Sequence, residues 1–262
     1  MSELICCTPR SLPKRLQVAA AKRAVSINPA NHPGAVVVTR ALGAAPTAAR
    51  IAVLIGKRWP AAGVRLTVAF LDNPPTDLRT RILLHMNAWG KSANVQFTLT
   101  KTNPQVRIAR ASSLASVSGY WSYLGTDILS IPANRPTMNL EAFTMSTPES
   151  EFHRVVRHET GHTMGFPHEH MRRELVARID AKKAIAYFGR TQGWTEAEVR
   201  QQVLTPIEES SLLGTAHADP NSIMCYQIPG TLTKDGKPIA GGLDIDEQDY
   251  AFAASIYPKK VK

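Results

Sequence analysis

The residues most capable of chemistry lie close together in the stretch HETGHTMGFPHEH, residues 158–170. On a helix, His158 and His162 lie one turn apart on the same face, so their imidazoles can bind one metal ion. Gly165 ends such a helix, and a sharp turn there can bring His168 to the same point. Three neutral nitrogen ligands with an open fourth position are typical of catalytic zinc. Glu159 can reach a water molecule at that position without binding the metal, which suits a general base.

Isolated histidines usually have packing or surface roles, and a bare H-E-x-x-H pattern recurs by chance. Here the complete pattern H-E-x-x-H-x-x-G-x-x-H is present, which fixes five positions in one helix and the turn after it. We therefore interpret the stretch as a zinc site. His85 and His153 lie outside it, and we expect them to be packing or surface residues.

The helix that carries this site is predicted from its start and stop signals. Ser146 and Glu149 are three residues apart, as in a capping box, and Pro148 between them suits the beginning of a helix. We expect the helix to run from Glu149 to about Met164, with Gly165 as its stop.

The elements before this helix predict a mixed sheet with helices packed on it. Apolar residues predict strands at residues 64–72, 95–100 and 106–110. Between the first two strands, residues 77–90 have apolar residues on one helical face. The segment TMNLEAF, residues 137–143, is predicted to be a further short strand at an edge of the sheet.

The composition is that of an ordinary globular chain of 262 residues with a net charge of +10. Its basic residues are scattered as doublets without a nucleic-acid motif, so we expect no specific nucleic-acid partner. No apolar run is long enough to span a membrane. The start, MSELICCTPRSLPKRLQ, lacks the apolar region of a secretory signal. The three cysteines, Cys6, Cys7 and Cys225, are too few for a disulfide framework.

Several motifs together resemble the astacin family of metzincin zinc endopeptidases. The zinc pattern is typical of metzincins, and GFPHEH narrows the resemblance, because a glutamate directly after the third histidine marks astacins. GYWSYLG (residues 119–125) is similar to the Trp-Ser-x-x-Gly segment of that family, and NSIMCY (residues 221–226) is similar to its Met-turn. The C-terminal LDIDEQDYAFAASIY matches its closing helix, so the resemblance covers about residues 50–257.

This resemblance implies an α/β (α+β) metzincin-like fold with two lobes beside a cleft. The upper lobe would contain a twisted mixed sheet with two long helices. The lower lobe would be mostly irregular, with a C-terminal helix.

The resemblance also implies roles for residues outside the zinc pattern. The methionine matching Met224 lies beneath the metal, and the tyrosine matching Tyr226 is a switchable zinc ligand that stabilises the oxyanion; core packing is the alternative for both. The glutamate matching Glu169 binds the ammonium group of a trimmed N-terminus, and an ion pair with Arg172 or Arg173 is the alternative. The place of the substrate-binding edge strand is taken by Thr137, Met138, Asn139 and Leu140.

The sequence departs from the family in ways that affect regulation. Tyr120 stands where the family usually has a cysteine, and Cys225 stands where it has a histidine, which indicates a branch without disulfides. The Phe-x-Gly-Asp stretch that blocks the zinc in family zymogens is missing. Cys6 and Cys7 raise a substitute hypothesis, in which one thiolate binds the metal and keeps the enzyme latent. Disorder of the terminus is the alternative.

These observations predict a zinc-dependent endopeptidase with one catalytic Zn²⁺ ion, which acts on protein or peptide substrates as a monomer. We expect an N-terminal arm or pro-segment at residues 1–45, an upper catalytic lobe at residues 46–168 and a lower lobe at residues 169–262. The alternatives are a zinc-binding protein without turnover, and a basic protein that binds nucleic acid or another surface. The resemblance favours secretion, but the missing signal leaves the compartment open.

Overall fold

The computed structural model describes residue 7 and residues 10–32, 56–111, 114, 118–206 and 219–259. Cys6 and residues 33–45 of the predicted N-terminal arm lie outside the described residues. Within the described part of the chain, no helix is long and apolar enough to cross a bilayer.

The N-terminal arm contains a helix that the sequence analysis does not predict. This helix, α1 (Lys14–Ile27), has the sequence KRLQVAAAKRAVSI, which is rich in the strong helix formers alanine, lysine and arginine. Its buried residues are Ala20, Ala21 and Ala24, and it packs against the 3-10 helix Gly125–Ser130. The arm is thus anchored on the folded part of the chain.

A five-stranded sheet forms the centre of the fold, and the predicted mixed sheet is confirmed. Its strands are β1 (Val64–Phe70), β2 (Val95–Leu99), β3 (Val106–Ala109), β4 (Tyr120–Ser122) and β5 (Met138–Leu140). Their order is β2-β1-β3-β5-β4. All neighbouring strands are parallel except β4, which pairs antiparallel with β5.

The prediction that residues 137–143 form an edge strand is wrong. β5 pairs with β3 on one side and with β4 on the other, and its residues are fully buried together with Thr137. The edge position belongs to β4, which is too short for an alternating pattern to reveal it in the sequence. An extended peptide added at this edge would therefore pair with β4, and not with Thr137, Met138, Asn139 and Leu140.

Two long helical segments pack on the sheet. The first is α2 (Thr76–Met86), which continues as the 3-10 helix Asn87–Lys91 and buries its apolar face in the core. The second runs without a break through residues 149–164. It consists of α3 (Glu149–Glu151), a π-helical stretch (Phe152–Arg157) and α4 (His158–Met164).

The start of the second segment differs from the prediction of a capping box. Pro148 is the N-cap, and no side chain caps the helix. The Ser146 hydroxyl instead forms a 2.8 Å hydrogen bond with the Thr144 hydroxyl. A proline just before the first turn is compatible with helix entry, and the predicted start at Glu149 is correct.

After residue 168, the described part of the chain adds four α-helices and a smaller core. The helices are α5 (Arg173–Arg178), α6 (Ala181–Gln192), α7 (Glu196–Val199) and α8 (Glu247–Ile256). Buried apolar residues form one cluster around the sheet and a second that includes Leu175, Phe188 and Tyr226. These two apolar clusters agree with the predicted division of the fold into two lobes. Ala253 of α8 and Tyr257 pack in the first cluster, and the lobe boundary at residue 168 stays a prediction.

Candidate metal centre

The three histidines of the zinc pattern meet at one point. His158 and His162 project from consecutive turns of α4, and His168 returns to them after the helix ends. The Nε2 atom of His168 lies 3.1 Å from that of His158 and 3.0 Å from that of His162. All three side chains are buried.

The return of His168 depends on Gly165. Gly165 has a φ of +100°, in the left-handed region that favours glycine. A Cβ atom there would also lie 3.0–3.2 Å from backbone atoms of Lys57 and Arg58, which cannot give way as a flexible side chain could. The glycine at the centre of the pattern is therefore required by both conformation and space.

Backbone carbonyl groups orient two of the three imidazoles. His158 Nδ1 donates to Ile223 O at 2.6 Å, and His162 Nδ1 donates to Phe166 O at 2.8 Å, since a carbonyl oxygen only accepts. Both Nε2 atoms consequently carry lone pairs that face His168. Even if His168 donated to one of them, the other lone pair would stay unsatisfied. A metal ion resolves this arrangement, and a donor set of three imidazole nitrogens fits zinc.

Burial also holds the histidines in the form that binds metal. It lowers the pKa of His162 to about 4 and holds the pKa values of His158 and His168 well below the ordinary value. At neutral pH all three imidazoles are therefore uncharged, as metal ligands must be.

The Met-turn lies directly beneath α4. Met224 is buried, and its Sδ atom would be only 2.4 Å from a Cβ atom placed on Gly161. The turn is fastened to α8 by Asp249, which accepts hydrogen bonds from Ser222 Oγ at 2.6 Å and from the backbone N–H of Ile223 at 2.9 Å. Because the carbonyl of Ile223 holds His158, α8 indirectly orients one of the three converging imidazoles.

Glu159 lies beside the histidines and is buried. Burial raises the pKa of its carboxyl to about 8, while a hydrogen bond with the Cys7 side chain and the charge of Arg154 act in the opposite direction. Its Oε2 atom has no hydrogen-bond partner among the described residues. A buried carboxyl with an unused oxygen, next to three converging histidines, is suited to proton transfer.

Tyr226 reaches the centre from the Met-turn. Its ring centroid lies 4.2 Å from that of His168, and it stacks on His170 at 4.2 Å with the ring planes 16° apart. The Nε2 atom of His170 bonds to Gln202 O at 3.0 Å. No sequence pattern assigns a role to His170, although its place two residues after His168 indicates that it lies near the three histidines.

Glu169 has its partners outside the three histidines. Its carboxylate forms an ion pair with Arg172 and accepts a hydrogen bond from the backbone N–H of Asp219 at 3.2 Å. The ion pair matches the alternative interpretation of Glu169 as an exposed acid paired with Arg172 or Arg173, but the side chain is only 17% exposed. Burial raises the pKa of Glu169 despite the neighbouring charge of Arg172.

One residue from the N-terminal arm also lies at the centre. Cys7 is buried, and its sulfur and the ring nitrogens of the three histidines all lie within 4.8 Å of one another. Its backbone carbonyl accepts a hydrogen bond from the Tyr226 hydroxyl.

His85 and His153, which the sequence analysis places outside the pattern, lie elsewhere. His85 is buried, and its ring lies 5.2 Å from that of Phe152, which agrees with a packing role. His153 is partly exposed and bonds to Asp244 at 2.8 Å.

Among known proteins, no family model and no curated protein matches the chain. Solved structures do match it. One structure of myroilysin shares 29% identity, with a TM-score of 0.70, over 78% of this chain and 97% of that chain. A crystal structure of myroilysin shares 30% identity, with a TM-score of 0.57, over 78% and 86% of the two chains. High choriolytic enzyme 1, a hatching enzyme zinc-protease from the medaka fish Oryzias latipes, shares 17% identity, with a TM-score of 0.52, over 79% and 96%.

The similarity to high choriolytic enzyme 1 supports the fold alone, whereas myroilysin is similar in sequence as well. These matches cover most of the chain, and the part of it with the zinc pattern folds into a buried centre of three histidines. The protein therefore belongs to the astacin family of zinc metalloendopeptidases.

Proposed function

We propose that the protein hydrolyses peptide bonds within protein substrates, with Glu159 as the general base. The observation that carries this proposal is the convergence of three Nε2 atoms, two of them with fixed lone pairs, beside a buried carboxyl group. His158, His162 and His168 would hold the ion. Zinc, when bound there, supplies a Lewis acid that makes water more acidic and polarises the scissile carbonyl.

Glu159 is suited to move the proton. Its carboxylate would accept a proton from the attacking water and pass it to the leaving amine, as a general base and then a general acid. Burial raises the pKa of this carboxyl in the metal-free protein, and the positive charge of a bound zinc ion would lower it again, so that the carboxylate is available as the base. Neighbouring His158 stays neutral and does not compete for the proton.

Tyr226 is suited to stabilise negative charge on the substrate carbonyl oxygen. Its hydroxyl is a hydrogen-bond donor that already points at a carbonyl oxygen, that of Cys7. Stacking on His170 fixes the plane of its ring. A donor that is positioned before the reaction lowers the barrier more than one that must be reoriented.

The substrate would bind as an additional strand at the edge of the sheet. β4 is that edge, and it lies against α4, with the Ser122 hydroxyl 3.0 Å from that of Thr163. Backbone hydrogen bonds to β4 would hold an extended peptide across the cleft beside the histidines. This mode of binding suits protein substrates of varied sequence, because the main chain contributes most of the contacts.

The test is casein cleavage and zinc content for wild type, Glu159→Gln and the control Glu196→Gln. Glu196 is exposed and pairs only with Arg200 among the interactions described for it, so its variant should behave as wild type. Glu159→Gln should keep zinc and lose activity by about 10²–10⁴-fold.

Each protein is assayed before and after limited trypsin treatment, with trypsin then inhibited, and with a chelator control. A zinc-loaded wild type that is inert under both conditions would overturn the proposal in favour of metal binding without turnover. Equal activity of Glu159→Gln and wild type would remove Glu159 from the mechanism.

A further inference from the structure

A second group of side chains that can bind metal lies apart from the zinc pattern. It consists of His85, Glu149 and His153, whose ligand atoms all lie within 4.8 Å of one another. His85 comes from the last turn of α2, whereas Glu149 and His153 belong to the start of the helical segment that carries the zinc pattern. We propose that these three side chains bind a second zinc ion, which stabilises the packing of the two helical segments.

Glu149 places one carboxylate oxygen between the two rings. Its Oε1 atom lies 3.1 Å from His85 Nε2 and 3.4 Å from His153 Nε2. The other oxygen, Oε2, is held by Arg81, whose Nη2 atom lies 2.6 Å away. Oε1 is therefore the oxygen that faces both imidazoles. Two imidazole nitrogens and one carboxylate oxygen are a donor set that zinc accepts.

The buried ring of His85 points independently to a ligand. Its side chain is only 2% exposed, and its Nε2 atom has no hydrogen-bond partner among the described residues, because the nearby Glu149 oxygen is not aligned for one. A buried polar atom without a partner is costly. Burial lowers the pKa of His85 to about 4, so the ring is uncharged at neutral pH, as a metal ligand must be. A metal ion beside Glu149 Oε1 would satisfy this nitrogen.

His153 is oriented in the way that metal ligands usually are. Its Nδ1 atom donates to Asp244 Oδ2 at 2.8 Å, because a carboxylate only accepts. In the neutral ring, the Nε2 atom therefore carries a lone pair on the side of Glu149. A carboxylate that fixes the tautomer from the far side of the ring is the usual outer partner of a histidine ligand.

Arg157 competes with a metal ion for the two rings. Its Nη2 atom lies 3.2 Å from His153 Nε2, and its Nε atom donates to His85 Nδ1 at 3.4 Å. Zinc would displace the first contact, and by taking the Nε2 lone pair of His85 it would move the proton of that ring to Nδ1, which ends the second. Asp244 would retain the guanidinium, since its Oδ1 atom lies 2.5 Å from Arg157 Nη1. Each nearby guanidinium has a carboxylate partner, so the ion would not enter a site of net positive charge.

The proposed ion would connect separate parts of the fold. Its ligands join α2 to the segment that leads into α4, and Asp244 lies shortly before α8. An ion that binds only the folded state stabilises that state by mass action. This role is independent of peptide hydrolysis.

The first test is the zinc content of the full-length protein after dialysis against micromolar free zinc. His153→Gln and Glu149→Gln should each hold one zinc ion fewer per chain than wild type, and both side chains are exposed enough for the variants to fold. His32→Gln is the control, because His32 is exposed and lies outside both groups of ligands. Unchanged zinc content in both variants, or an equal loss in the control, overturns the proposal. Since the result is a difference from wild type and involves no assay of activity, it is separate from the test of the proposed function.

A second measurement tests the competition with Arg157. Arg157→Gln should bind the second zinc ion about tenfold more tightly than wild type, because the ion then neither displaces a charged donor nor lies beside its charge. Arg65→Gln is the control, since it removes an exposed arginine of β1, and it should bind zinc as wild type does. Equal or weaker binding in Arg157→Gln overturns the placement of the ion between the two rings.

Thermal unfolding tests the stabilising role. Added zinc should raise the unfolding midpoint of wild type by more than that of His153→Gln, because the variant lacks one of the two sites. An equal rise in both proteins overturns this role.

Discussion

Replacing Gly161 by alanine tests how closely the Met-turn packs beneath the zinc helix. A Cβ atom on residue 161 would lie 2.4 Å from Met224 Sδ, 3.1 Å from Met224 Cε and 3.3 Å from Trp89 Cζ2. Optimal contacts between carbon atoms are about 3.5–4.0 Å, so the sulfur has to move by about 1 Å. Both neighbours are buried, which limits the room for that movement.

Two opposing effects determine how much Gly161→Ala changes the free energy of unfolding. Alanine is favoured over glycine in a helix interior by about 1 kcal/mol, whereas overpacking a core costs about 1–3 kcal/mol. Gly189 in α6 is a matched control, because a Cβ atom there would meet only the carbonyl oxygen of Trp194, at an ordinary 3.5 Å. Since the helix gain is common to both substitutions, the difference between them measures the overpacking.

The assay is urea unfolding at one fixed zinc concentration, with zinc content measured for every variant. Gly161→Ala should be less stable than Gly189→Ala by about 1–3 kcal/mol. In a Met224→Ala background, where the obstructing sulfur is gone, Gly161→Ala should instead be stabilising. If Gly161→Ala stabilises wild type as much as Gly189→Ala does, the reasoning about Met224 is refuted.

Two further predictions concern the supports of the centre. Tyr257→Phe removes a hydroxyl that donates to Met164 O at 2.6 Å and accepts from the backbone N–H of Trp59 at 3.1 Å. We expect the free energy of unfolding in urea to fall by about 1–3 kcal/mol. An unchanged unfolding midpoint would contradict this prediction. Burial raises the pKa of Asp249 to about 6, so the folded state holds this proton more tightly than the unfolded state. The free energy of unfolding should therefore fall by up to about 3 kcal/mol as pH rises from about 4 to about 6. Asp249→Asn should reduce this dependence of stability on pH. An equally steep dependence in the variant would contradict the attribution to Asp249.

The zinc site could be predicted from the sequence because its rules are local. A helical period places His158 beside His162, and Gly165 supplies the conformation that lets His168 return. Met224 and Tyr226 could be assigned only by resemblance, since about sixty residues separate them from the zinc helix and no spacing rule spans that distance.

The edge strand could not be predicted, because strand order is decided by pairing between distant segments. Residues 137–143 have an apolar pattern that suits a strand with a solvated side, yet β5 is buried between two neighbours. The helix α1 was missed for another reason. Its alanine-rich sequence has high helix propensity but little apolar periodicity, so it lacks the pattern that predicts an amphipathic helix.

The fastening of the Met-turn by Asp249 has a consequence for the order of events during synthesis. The backbone acceptor of His158 belongs to Ile223, which is held by Asp249 in the first turn of α8. A ribosome makes the chain from the N-terminus, so the imidazole cannot be fixed until about a hundred further residues have emerged. The arrangement of His158 that suits metal binding would therefore be completed only after the first turn of α8 has been made, although the zinc pattern itself lies well before that helix.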